Sequence, residues 1–204
     1  MACIVPDYKK DGLWVSSFYE GGKQCRTKSS SVWSHMKSRC KAGGYVQRIR
    51  PTYSGCTMAA EFYDYQVFAD WFNDQIGIDS GFHLDKDLLS TGNKKYGPDS
   101  CVFIPNELNC FLCSCEKSRG KYPQGVSWFS RDNLYKVQVN QKYGKKHVGY
   151  YKTLEQAKSA YIAAKNKEAR VWYGRLISGE FIVDPRVTER MRTWEFTYPE
   201  DITD

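Results

Sequence analysis

No apolar run in this 204-residue chain approaches the roughly 20 residues that a membrane-crossing helix needs. The opening MACIVPDYKKDG lacks the basic-then-apolar layout of a secretory leader. These two absences predict a soluble, cytoplasmic protein with no membrane partner. The eight cysteines would suit a disulfide framework in a secreted chain, but without a leader they are expected to be reduced. Cys110, Cys113 and Cys115 could form part of a structural Zn²⁺ site. A second Cys-x-x-Cys is missing, however, and their segment reads as helical, so free thiols are expected instead. What the chain has in excess is positive charge, +7 overall, and aromatic rings, 15% of residues. That combination points toward nucleic acid.

Periodicity predicts an α+β protein. Ser29, Ser30 and Ser31 offer an N-cap to a short helix over 32–40, on which Val32, Trp33, Met36 and Cys40 share the inward face. A second helix is expected over 64–75, with Phe62, Tyr65, Phe68 or Ala69, Phe72 and Ile76 repeating at helical spacing and Gly77 ending it. Residues 116–124 (EKSRGKYPQ) are polar and broken by Gly and Pro, which marks a boundary. The expected organisation is a first domain over 1–118, a second over 121–175, and a C-terminal tail over 176–204.

Residues 82–109, FHLDKDLLSTGNKKYGPDSCVFIPNELN, read as a strand, a Gly-Asn loop, a second strand and the start of a helix. Strand alternation would put His83, Asp85 and Asp87 on one face. Two carboxylates and an imidazole in one line can ligate a hard cation or accept a proton. In order, Leu-Asp-Lys-Asp (84–87), Gly92-Asn93, Tyr96-Gly97-Pro98, Cys101-x-Phe-x-Pro105 and Asn109 resemble the ββα-metal core of phage-type HNH homing endonucleases. The resemblance implies a ββα-metal fold and one Mg²⁺ or Mn²⁺, with Asp85 as the main ligand, Asp87 as a second, and Asn109 completing or orienting the site. The family's general-base histidine falls on Lys86 and its loop asparagine near Ser100. Lys86 would then act as a base only with a depressed pKa, since an ordinary lysine near pKa 10 is protonated at neutral pH, or else clamp phosphate. His83 is the alternative base.

From Gly125 the pattern changes to three short strands, GVSWFS, LYKVQVNQ and KKHVGYYK, followed by a helix over about 154–175 that Thr153 should cap. Gly125-Val126, the run 135–140, Val148-Gly149-Tyr150 and Thr153-x-Glu155-x-Ala157-x-x-Ala160-Tyr161 resemble the AP2-type DNA-binding domain. Alternation packs Tyr135, Val137 and Val139 on the helix. It leaves Lys136, Gln138 and Asn140 on the open face, with Ser127 and Phe129 on one neighbouring strand and Lys145 and His147 on the other. Arg131 stands in the first turn. In the AP2 family this face lies in the major groove of double-stranded DNA, where Gln and Asn suit adenine, and Lys or Arg suits guanine or phosphate. Residues 121–175 hold 12 Lys and Arg against 3 Asp and Glu, a local excess larger than the charge of the whole chain.

The two resemblances together imply a metal-dependent endonuclease aimed at DNA by its C-terminal sheet. The alternatives are a catalytically inactive descendant that binds DNA as a regulator, and an inhibitor that binds another protein.

Overall fold

In the computed structural model, which describes residues 3–113 and 121–198, the chain is mixed α+β and divides into two units, Met1–Phe103 and Ile104–Asp204.

The first unit opens with β1 (Cys3–Val5), β2 (Lys9–Lys10), β3 (Leu13–Trp14), β4 (Ser17–Glu20) and β5 (Lys23–Thr27). β5 lies between a parallel β1 and an antiparallel β4, and β2 and β3 form a separate hairpin. None of these strands stands out in the sequence, because they are short and largely exposed. Helix α1 (Lys28–Cys40) starts earlier than the serines suggest. Asp7 explains why: its carboxylate accepts the Ser29 N–H at 3.1 Å, and the Ser29 hydroxyl as well. A carboxylate at a helix N-terminus satisfies a donor that has no partner within the helix.

After α1 come α2 (Tyr45–Ile49), β6 (Thr57–Met58) and α3 (Tyr65–Asn73). Asp64 caps α3 by accepting the Gln66 N–H at 2.8 Å. The predicted stripe is the core: Phe62, Phe68 and Phe72 are buried with Met36, Met58, Tyr96 and Phe103, and Trp71 packs against them. Ile76, by contrast, lies past the helix end and is exposed. Short strands β7 (His83–Asp85), β8 (Lys95–Tyr96) and β9 (Val102–Ile104) complete the order, with β6 paired to β8 and β7 to β9.

The second unit begins with α4 (Asn106–Leu112). The division therefore falls well before the polar stretch at 116–124. The reason is packing. Phe111 stacks with Trp172 and Trp194 at centroid distances of 6.3 and 5.5 Å. The Lys165 ammonium donates to the Phe111 carbonyl, and the Gln124 amide to that of Cys113.

Next come β10 (Val126–Phe129), β11 (Leu134–Asn140) and β12 (Lys145–Tyr151), an antiparallel sheet with β11 in the middle. Helix α5 (Leu154–Ile177) packs on it through Ala157 and Tyr161, which meet Val126, Val137 and Val139. Thr153 caps α5 as expected. Its capping-box partner is Gln156, the third helical residue. Gly125 sits at φ +78°, and a Cβ there would come within 2.0 Å of the Tyr161 ring, so the glycine lets this strand approach the helix.

Residues 177–198 pack onto the second unit. Helix α6 (Pro185–Thr193) buries Val187 and Met191, and Phe196 and Tyr198 close around Tyr161. The Tyr198 hydroxyl donates to the Gln124 carbonyl at 2.6 Å.

Candidate nucleic-acid interface

The residues singled out by sequence fall into two sets, and the fold treats them differently. In the first unit, β7 stops at Asp85, so strand alternation does not extend to Asp87. His83 is exposed. Asp85 instead forms an Asx turn: its Oδ1 accepts the N–H of Asp87 at 3.0 Å and of Leu88 at 2.7 Å. Burial pushes its carboxyl above the usual range, the two backbone donors oppose that, and the charge on Asp87 adds to the rise.

Lys86 is 5% exposed. Its ammonium donates to the Asp87 carboxylate and, at 2.6 Å, to the Asn93 carbonyl. Asn93 fixes that loop in turn. Its amide donates to the carbonyls of Lys86 and Lys95, and its Oδ1 accepts the Lys95 N–H. The Gly-Asn loop and Lys86 thus hold each other, and the ammonium is turned inward. That geometry supports neither a solvent-facing base nor a phosphate clamp at Lys86.

Asn109 is half-buried on α4 and belongs to the second unit, so it does not share a unit with Asp85 and Asp87. Tested against a divalent cation, Asp85 Oδ1 is committed to two N–H groups and Asp87 Oδ1 to an ammonium. A metal ion there would face the charge of Lys86. Among the described residues no three His, Cys, Asp or Glu gather as a metal site. The arrangement fits an internal ion pair better than Mg²⁺ or Mn²⁺. For zinc, Cys110 and Cys113 are exposed, and Cys115 lies outside the described residues. Desolvation pushes the half-buried Cys40 thiol up to about 12 and the buried Cys101 thiol to about 11, which holds both protonated.

The second set lies on the sheet of the second unit. Its register pairs Ser127 with Lys136, Gln138 with His147, and Asn140 with Lys145. Directly opposed residues of antiparallel strands share a face, so these six side chains lie together, on the side opposite Val137 and Val139. Ring contacts agree: Phe129 meets Tyr150 at 5.2 Å, and His147 meets Tyr150 at 4.7 Å. Arg131 lies over the Phe129 ring and is also paired with Asp132 at 3.0 Å. The Asn140 amide donates to the Cys110 carbonyl at 3.3 Å. Lys136, Gln138, Lys145 and His147 make no polar side-chain bond among the described residues.

Tyr150 was missed in the sequence. Simple alternation from His147 puts it on the helix side, but β12 carries a bulge: Val137 opposes Gly149, Gln138 opposes His147, and Val148 is the extra residue. The glycine inside the strand was the available signal, since interior strand glycines mark bulges. No family model, curated protein or solved structure matches the chain.

Proposed function

We propose that this protein binds double-stranded DNA through the open face of β10–β12. One observation carries the reading: Lys136, Gln138, Lys145 and His147 stand on one face with their polar ends unpaired among the described residues, within a strongly basic segment. The lysines suit phosphate or guanine, and Gln138 suits the paired donor and acceptor of adenine. Phe129 and Tyr150 give the face an apolar centre that can meet a thymine methyl or a sugar.

The test is fluorescence anisotropy of the full chain on labelled duplex DNA across a salt series. Lys136→Ala plus Gln138→Ala should weaken binding at least tenfold, about 1.4 kcal/mol, as expected for loss of a phosphate contact and a bidentate base contact. The logarithm of affinity should fall steeply with the logarithm of salt concentration. Unchanged affinity in the double variant rejects the sheet as the interface.

A second reading rests on Asp85, a half-buried carboxylate whose proton affinity is raised by desolvation and by the neighbouring Asp87. This reading is an HNH-type endonuclease, and it predicts nicked or linear plasmid in Mg²⁺ or Mn²⁺ that is lost in EDTA and in Asp85→Ala. DNA binding without product under any metal favours a DNA-binding protein alone.

A further inference from the structure

A cavity of about 530 Å³ opens in the first unit along one face of α1. Ser30, Trp33, Ser34, Lys37, Ser38 and Lys41 recur there at three- and four-residue spacing, so one helix stripe forms the wall. Ser16, Ser17, Arg26, Cys40, Met58 and Tyr63 line the rest. Three cations line the cavity and no carboxylate does. Nor does any of the three pair with a carboxylate elsewhere among the described residues.

Two of these charges, Arg26 and Lys37, are held in place. The Arg26 guanidinium donates to the Ser34 hydroxyl at 3.3 Å, and the Lys37 ammonium sits 3.9 Å from the centre of the Trp33 ring. Lys37 lies in the last turn of α1 and Lys41 is its C-cap residue, so the cavity wall carries two like charges close together, which is itself unfavourable. An anion between the cations would remove that cost and accept hydrogen bonds from the serine hydroxyls. The volume is within the range of small organic ligands and is far more than a bare phosphate fills. Part of the remaining wall is apolar: Trp33, with its indole N–H already donated to the Phe62 carbonyl at 2.8 Å, and the buried thioether of Met58.

We infer that this cavity binds an aromatic phosphomonoester, its phosphate held by Arg26, Lys37 and Lys41 and its ring lying against Trp33 and Met58. The site lies wholly within the first unit and does not depend on the DNA reading.

The experiment is isothermal titration of the full chain with phenyl phosphate, inorganic phosphate and phenol in turn. Phenyl phosphate should bind at least tenfold more tightly than either part. Lys37→Gln plus Lys41→Gln, both at exposed positions, should weaken it at least tenfold. Lys136→Ala plus Gln138→Ala should leave it unchanged. Three results would overturn the inference: no binding of phenyl phosphate up to about 10 mM, equal affinity for inorganic phosphate, or undiminished affinity in the Lys37/Lys41 variant. The last would leave those lysines serving only the C-terminal end of α1.

Discussion

The Asp85–Asp87 turn and the β10–β12 sheet are both rich in polar side chains, yet they use them in opposite ways. In the turn, the polar groups are largely satisfied by neighbours within the same loop. Asp85 caps backbone N–H groups, and Lys86 bridges Asp87 and Asn93. On the sheet, Lys136, Gln138, Lys145 and His147 are presented without polar partners among the described residues. A side chain already hydrogen-bonded within the fold must break those bonds before it can meet a ligand, whereas an unpaired one exchanges only water. Residue type gives both regions the look of a site. The partner list separates them.

The largest test of this contrast is Lys86→Ala. It would leave the Asn93 carbonyl and the Asp87 carboxylate without their donor and open a cavity beside Tyr96. A loss of about 3 kcal/mol in urea denaturation is expected. Unchanged stability would mean that the ammonium points outward in solution, and the contrast would fail.

The matching change on the sheet, Lys136→Ala plus Gln138→Ala, should stay within about 0.5 kcal/mol of the parent in the same denaturation while DNA affinity drops. A large stability loss would show that these side chains serve the fold.

Thiol labelling at pH 8 gives a smaller effect. Cys3, Cys110 and Cys113 should react promptly. Cys40 and Cys101, held protonated by desolvation, should react only on unfolding, as mass spectrometry of labelled peptides would show.

The smallest effect is Asp85→Asn. An acid whose folded pKa is raised binds its proton more tightly folded than unfolded. Its penalty is therefore absent below the unfolded pKa, grows as pH climbs to the folded value, and is constant above it. The variant should gain stability relative to the parent at neutral pH, and the gain should vanish on acidification through the carboxylate range. A gain that persists in acid would assign the effect to packing.

What could be read from the sequence follows the range of the forces involved. The three sheet strands fall within a residue or two of expectation, and α3 ends two residues early, because alternation and helical spacing report directly which face is buried. The start of α1 was not legible, because its capping acid is Asp7, 22 residues away. The division between the two units lies away from the polar stretch for a similar reason. The polarity of 116–124 is local, whereas the anchoring of Phe111 by Trp172 and Trp194 is a long-range contact. For the candidate sites, spacing correctly grouped Lys136, Gln138 and Asn140 with Lys145 and His147. It could not show that Lys86 turns inward, since an Asx turn ends the strand at Asp85 and resets the direction of every side chain after it.

The bulge at Val148 gives β12 something like a reading frame. Ahead of it, Lys145 and His147 share the outer face with Asn140 and Gln138; behind it, Tyr150 joins them although it is three residues from His147. Deleting Val148 would remove the extra residue and restore strict alternation without changing any pairing, so Lys145, His147 and Tyr150 would all keep the outer face. The bulge thus absorbs one residue of strand length and leaves the faces on either side of it as they are. Point changes along the face, more than the loss of a residue at this point, are the mutations to which its surface chemistry is most sensitive.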